Sequence, residues 1–113
     1  MGIVENHKLT ILLRVESGCL GENGAAHIAE FCIYAAEKTR DYYDDYIIWK
    51  FQPREDKALS EMAYFIGDKK LKSTQAEQYL TALSATQTLG QLEEIMQIKL
   101  VDLVDEYRGS RPE

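Results

Sequence analysis

From Leu9 to Glu16 apolar and polar positions alternate, with Leu9, Ile11, Leu13 and Val15 on one side and Thr10, Leu12, Arg14 and Glu16 on the other. A period of two is the signature of a β-strand with one strongly apolar face. The strand runs into Ser17-Gly18-Cys19-Leu20-Gly21-Glu22-Asn23-Gly24, a stretch dense in turn formers in which Ser17 or Asn23 can cap a helix. From residue 24 the period lengthens. Ala25, Ile28, Ala29, Cys32, Ala35, Ala36 and Thr39 share one helical stripe, while Glu30, Tyr34, Glu37, Lys38 and Asp41 face the other way, predicting a helix to about Tyr43. Asp44-Asp45 breaks it. Tyr46 to Gln52 is β-branched and aromatic enough for a second strand, which Pro53 ends.

Arg54 to Leu59 reads as a loop, Glu61 to Ile66 as a third strand, Gly67-Asp68 as a turn, and Lys69 to Leu71 as a short return strand. Thr74-Gln75-Ala76-Glu77 has capping-box spacing and predicts a second helix carrying Ala76, Tyr79, Leu80 and Leu83. A third, from about Leu89 to Tyr107, gathers Leu92, Ile95, Met96, Leu100, Leu103, Val104 and Tyr107 within about half its circumference. Ile98 and Val101 fall outside that arc, as expected of a helix that also touches another subunit.

A strand, a long helix and a strand suit a parallel crossover, whereas the short link between the second and third strands requires an antiparallel pair. The expected fold is therefore α+β: a mixed sheet of three or four strands with helices packed on it, in the order β-α-β-β-α-α. At 113 residues the chain has the size of one domain, taken as 1–113 with loose ends at 1–7 and 109–113. Hydrophobic residues make up 45% and charged residues 28%, an ordinary globular balance.

Net charge of -6 disfavours nucleic acid as a partner, the one lysine cluster being Lys69, Lys70 and Lys72 at a turn. No apolar run approaches the roughly 20 residues of a membrane span. Met1 to Lys8 shows no export signal and there are two cysteines, so a reducing cytoplasm is the expected compartment.

The strand, cysteine, helix order is similar to that of thioredoxin-like domains, but Cys19-Leu20-Gly21-Glu22 lacks the second cysteine of their motif. The loop Gly18 to Gly24 leading to His27 and Phe31-Cys32, with Pro53-Arg54-Glu55-Asp56-Lys57 later, resembles small uncharacterised bacterial proteins. That resemblance implies no activity, cofactor or residue role.

Candidate chemistry is sparse. Cys19, His27 and Cys32 are zinc-ligand types, yet His27 and Cys32 project about 140° apart on a helix. Cys32 sits about 13 Å along the helix axis, out of disulfide reach of Cys19. No metal and no cofactor are expected. Cys32 reads as core, and Cys19, at a helix amino terminus, as the thiol with the lowered pKa, opposed by Glu22.

Parallel first and second strands would bring Gly18, Cys19, Gly21 and Gly24 beside Arg54 and Lys57, a candidate site for a small carboxylate or phosphate. The structural alternative makes the glycines a tight turn and pairs Arg54 and Lys57 with Glu55 and Asp56. His27 reads as a surface residue, and the acids of the last helix as its solvated side. Tyr42 and Tyr43, beside two aspartates, fit an interface edge, as do Ile98 and Val101.

The apolar surface on the last helix and on both faces of the first two strands exceeds what three helices can cover. The expectation is a non-enzymatic interaction or adaptor module, a homodimer or the partner of another protein. The alternative is a small-anion-binding or thiol-dependent protein using the glycine loop.

Overall fold

The computed structural model describes residues 7–21, 24–56 and 58–110, and within them not the side chains of Cys19 and Ser110. The chain forms β1 (Leu9–Val15), a 3-10 turn (Ser17–Leu20), α1 (Gly24–Lys38), β2 (Ile47–Pro53), β3 (Met62–Ile66), β4 (Lys69–Leu71), α2 (Ser73–Ala82) and α3 (Leu89–Ser110). The sheet order is β2-β1-β3-β4, with β1 and β2 parallel and the other two pairs antiparallel. This is the expected mixed α+β sheet, but β3 does not pair with β2 as the short link between them suggested: β1 lies between the two, and β3 pairs antiparallel with β1.

The register sets which side chains share a face. Leu9, Ile11, Leu13 and Val15 stand beside Ile47, Trp49 and Phe51 on β2 and beside Met62, Tyr64 and Ile66 on β3. The three helices pack on this face, burying Ile28, Phe31, Cys32 and Ala35 of α1, Ala76 and Leu80 of α2, and Leu89, Leu92, Met96, Leu103 and Tyr107 of α3. The phenol of Tyr64 donates to Glu93 and ties β3 to α3. Burial first, then that hydrogen bond and the carboxylate's charge, push the Tyr64 phenol well above its ordinary range.

Several elements differ from the sequence expectation. α1 stops at Lys38 rather than Tyr43. Thr39 is fully buried and turns its hydroxyl back onto the Ala35 carbonyl (2.8 Å), and a turn over 39–46 leads to β2, with Tyr43 at φ 55°. Trp49 Nε1 donates to the Tyr42 carbonyl (2.8 Å), anchoring that turn against the sheet.

The buried stripe of α1 is also rotated. Phe31, which the sequence pattern sets with His27, Glu30 and Tyr34 on the polar side, has no exposed surface, whereas Ala25 and Ala29 lie outside. Burying one aromatic ring removes far more apolar area from water than burying two methyl groups, so Phe31 sets the rotation. Its ring meets that of Tyr107 edge-on at 5.4 Å.

The expected capping box at Thr74 and Glu77 is not formed. α2 begins at Ser73, where Gln75 Oε1 accepts from the Lys72 N–H, and Glu77 Oε2 accepts from the Leu89 N–H at the start of α3. The reciprocal box belongs to α3: the Gln91 N–H donates to Thr88 Oγ1 (3.1 Å) and the Thr88 N–H to Gln91 Oε1 (2.9 Å). α3 runs past Tyr107 to Ser110, so Gly109 is helical. Of the ends expected to be loose, 1–6 and 111–113 lie outside the described residues. The His7 carbonyl is held by the Tyr79 hydroxyl at 2.5 Å.

Candidate interaction surface

With the helices on one face, the other face of the sheet has no layer upon it among the described residues. The register places its side chains in rows: Ile48, Thr10, Phe65 and Lys70 in one, Lys50, Leu12 and Ala63 in the next, Gln52 and Arg14 beyond. Leu12 and Ala63 are only 5% and 2% exposed, yet neither belongs to the core cluster beneath the helices. They form the floor of a second, shallow apolar zone. Ile48 and Phe65 flank it half-buried, while Lys50 and Lys70 are exposed on opposite edge strands.

A hollow of about 350 Å³ opens on this face between Thr10, Leu12, Arg14, Lys50 and Phe65. Asp68, at its rim, is the carboxylate among its lining residues. Arg14 donates from Nη1 to the Ser60 carbonyl (2.7 Å), which holds its guanidinium at the end of the face. On an acidic chain, the open face therefore carries Arg14, Lys50 and Lys70 around an apolar centre, against Asp68. A concave apolar floor ringed by charge suits docking of another macromolecule's surface.

The glycine loop is differently employed. β1 and β2 do end together, with the Arg54 N–H donating to the Val15 carbonyl (2.8 Å), so Arg54 and the loop share one edge of the sheet as expected. The Arg54 guanidinium, however, bonds Glu16 Oε1 (2.9 Å) through Nη1 and the Leu59 carbonyl through Nε and Nη2 (3.1 and 2.8 Å). Glu61 stands 3.7 Å away. Arg54 staples the end of β1 to the loop leading into β3.

The glycines close turns. Gly21 has φ 92°, a left-handed conformation that favours glycine, and the Gly24 N–H donates to the Gly21 carbonyl (3.0 Å). Ser17 O lies so close that a Cβ on Gly24 would stand 1.8 Å from it. Gly18 has open space around it. Lys57 and the side chain of Cys19 lie outside the described residues, as does Asn23.

Ile98 and Val101 are each 62% exposed, on the outer side of α3. Tyr42 and Tyr43 are half-buried against the core; the Lys99 ammonium lies over the Tyr42 ring at 5.8 Å, and Tyr43 packs beside Tyr46. His27 is half-buried and Cys32 is buried. Among the described residues no three His, Cys, Asp or Glu side chains gather to hold a metal ion, and no helix is long and apolar enough to cross a membrane.

Comparison with protein-family models, curated proteins and solved structures found no match to this chain.

The cations of the open face were missed by sequence reasoning. Their signal was present in the phase of β2: with Ile47, Trp49 and Phe51 on the core face, Lys50 must share the opposite face with Leu12, and the register sets the two side by side. Lys70 needed more, because its place opposite Phe65 depends on the turn at Gly67-Asp68.

Proposed function

We propose that the chain is a non-enzymatic protein-interaction module that self-associates, with the open face of the sheet as its binding surface. The observation that carries this reading is the one-sided sheet: Leu12 and Ala63 are buried on a face that no helix among the described residues covers. An apolar floor with a charged rim has the anatomy of a protein-binding patch rather than of a core left unfinished. The small-anion reading finds less support, because the Arg54 guanidinium and the Gly24 N–H are engaged within the chain.

The test is molar mass by light scattering over a tenfold concentration range, for the wild type and for Phe65→Glu. Phe65 is half-buried on the open face, so the carboxylate is tolerated by the fold and hostile to apolar docking. The wild type should rise above the monomer mass while Phe65→Glu stays monomeric. A wild type that is monomeric throughout rules out self-association.

A further inference from the structure

The outer side of α3 carries a stripe complementary to the open sheet face. Glu94, Ile98, Val101 and Asp105 are spaced by four, three and four residues, so 100° steps place them within about 60° of one another. All four are exposed. The stripe therefore reads acid, apolar, apolar, acid, and nothing within the described chain covers it. At 1.5 Å per residue its two acids stand about 16 Å apart along the helix.

The open face has the inverse pattern at the same span. Lys50 is on β2 and Lys70 on β4, three strand spacings of about 4.8 Å apart, and the rows they occupy are offset by two residues of about 3.3 Å. Combined, these put the two lysines about 16 Å apart on a diagonal of the sheet. Between them lie Leu12, Thr10, Ala63 and Phe65. A helix laid along that diagonal meets a cation at each end and an apolar floor in the middle.

We propose that the occupant of the open face is the outer stripe of α3 from a second copy of this chain, so that copies associate front to back. Glu94 and Asp105 then face the lysines of the neighbour, and Ile98 and Val101 sit over its Leu12 and Phe65. Opposite charges select this arrangement. Face-to-face pairing of two sheets would set Arg14, Lys50 and Lys70 of each copy against the same cations of the other, and back-to-back pairing of two α3 stripes would oppose carboxylates. A front-to-back contact is heterologous: it leaves a free front and a free back on every pair, so growth continues into a ring or a chain.

This inference rests on the proposed self-association through the open face, and the test separates the two. One variant, Lys50→Glu with Lys70→Glu, reverses the front. The other, Ile98→Glu with Val101→Glu, spoils the back. All four positions are exposed, and thermal melting serves to check that each variant is folded.

The wild type should exceed dimer mass and grow with concentration. Each variant alone should be monomeric. Their equimolar mixture should give a complex of twice the chain mass that grows no further, because it combines the intact back of the first variant with the intact front of the second.

A monomeric wild type overturns both the inference and the functional reading on which it rests. A back variant that still associates alone overturns the inference and leaves the open face as the binding surface. A front variant that associates alone overturns the inference and removes the open face as well. Folded variants that stay monomeric when mixed overturn front-to-back pairing.

Discussion

Replacing Gly24 with Ala tests whether the glycine loop is a structural clasp. A Cβ at this position would stand 1.8 Å from the Ser17 carbonyl oxygen and 3.2 Å from Leu20 Cβ. A relaxed carbon-to-carbonyl contact is about 3.3 Å, so the 3-10 turn must move away by about 1.5 Å. That turn is fixed by the Gly21 N–H to Gly18 carbonyl bond and by Leu20, which is 4% exposed. Loss of one or two backbone hydrogen bonds at about 1 kcal/mol each, with partial withdrawal of Leu20, gives a cost of about 3 kcal/mol.

With a urea slope of about 1.5 kcal/mol per M, the unfolding midpoint should fall by about 2 M. Gly18→Ala is the control, since open space surrounds that position, and its midpoint should change by no more than about 0.5 M. Equal midpoints for the two variants would refute the argument from close approach.

Named contacts set four further outcomes. Phe31→Ala removes a ring with no exposed surface and its edge-on contact with Tyr107, and should cost about 3–5 kcal/mol in urea unfolding. Arg54→Ala leaves Glu16 and the Leu59 carbonyl without the fork that joins them and should cost about 1–3 kcal/mol; added phosphate should leave the wild-type melting temperature unchanged. Thr88→Ala breaks the capping box of α3, at about 1 kcal/mol by thermal melting. The Tyr64 phenol is raised in the folded state, so its contribution to stability is complete below the unfolded value of about 10 and is lost as pH rises above it; unfolding midpoints compared between pH 8 and pH 11 should fall less for Tyr64→Phe than for the wild type.

The elements legible in the sequence are those whose evidence is local. Strict alternation over Leu9 to Val15 gives β1, and the long helical connection decides that β2 runs parallel to it; the short link sets the direction of β3 but not its partner, which is β1 rather than β2. Helical angle alone marks Ile98 and Val101 as surface apolars, and they are exposed. Local pattern does not decide competition between similar signals. Thr74-Gln75-Ala76-Glu77 and Thr88-Leu89-Gly90-Gln91 both carry a capping-box spacing, and Glu77 is drawn to the second helix start because α2 and α3 pack together.

The rotation of α1 is decided in the same way, by a partner remote in sequence, since Phe31 turns inward to meet Tyr107. The engagement of Arg54 within the chain has a related reason. Parallel pairing does set Arg54 beside the loop, but Glu16 and Leu59, which claim its guanidinium, reach it only through the fold.

The open face presents a physical problem that its side chains solve in an informative way. A sheet left bare on one side would expose its central strand, yet Leu12 is 5% exposed and Thr10 7%. No helix among the described residues shields them; their neighbours on this face are half-buried Ile48, Phe65 and Arg14, with Lys50 at the hollow beside them. Lysine and arginine stems shield apolar area while keeping the charge in water, and they yield at little cost where no packed layer holds them. A helical layer would have buried the same floor permanently. Side-chain cover keeps the separate chain from presenting bare apolar surface to water, and on the proposed docking a helix would reach the floor between Lys50 and Lys70 and neutralise their charges. The one-sided sheet is thus suited to a contact that forms and dissolves, which is why its strength should fall in high salt more steeply than that of a purely apolar seam.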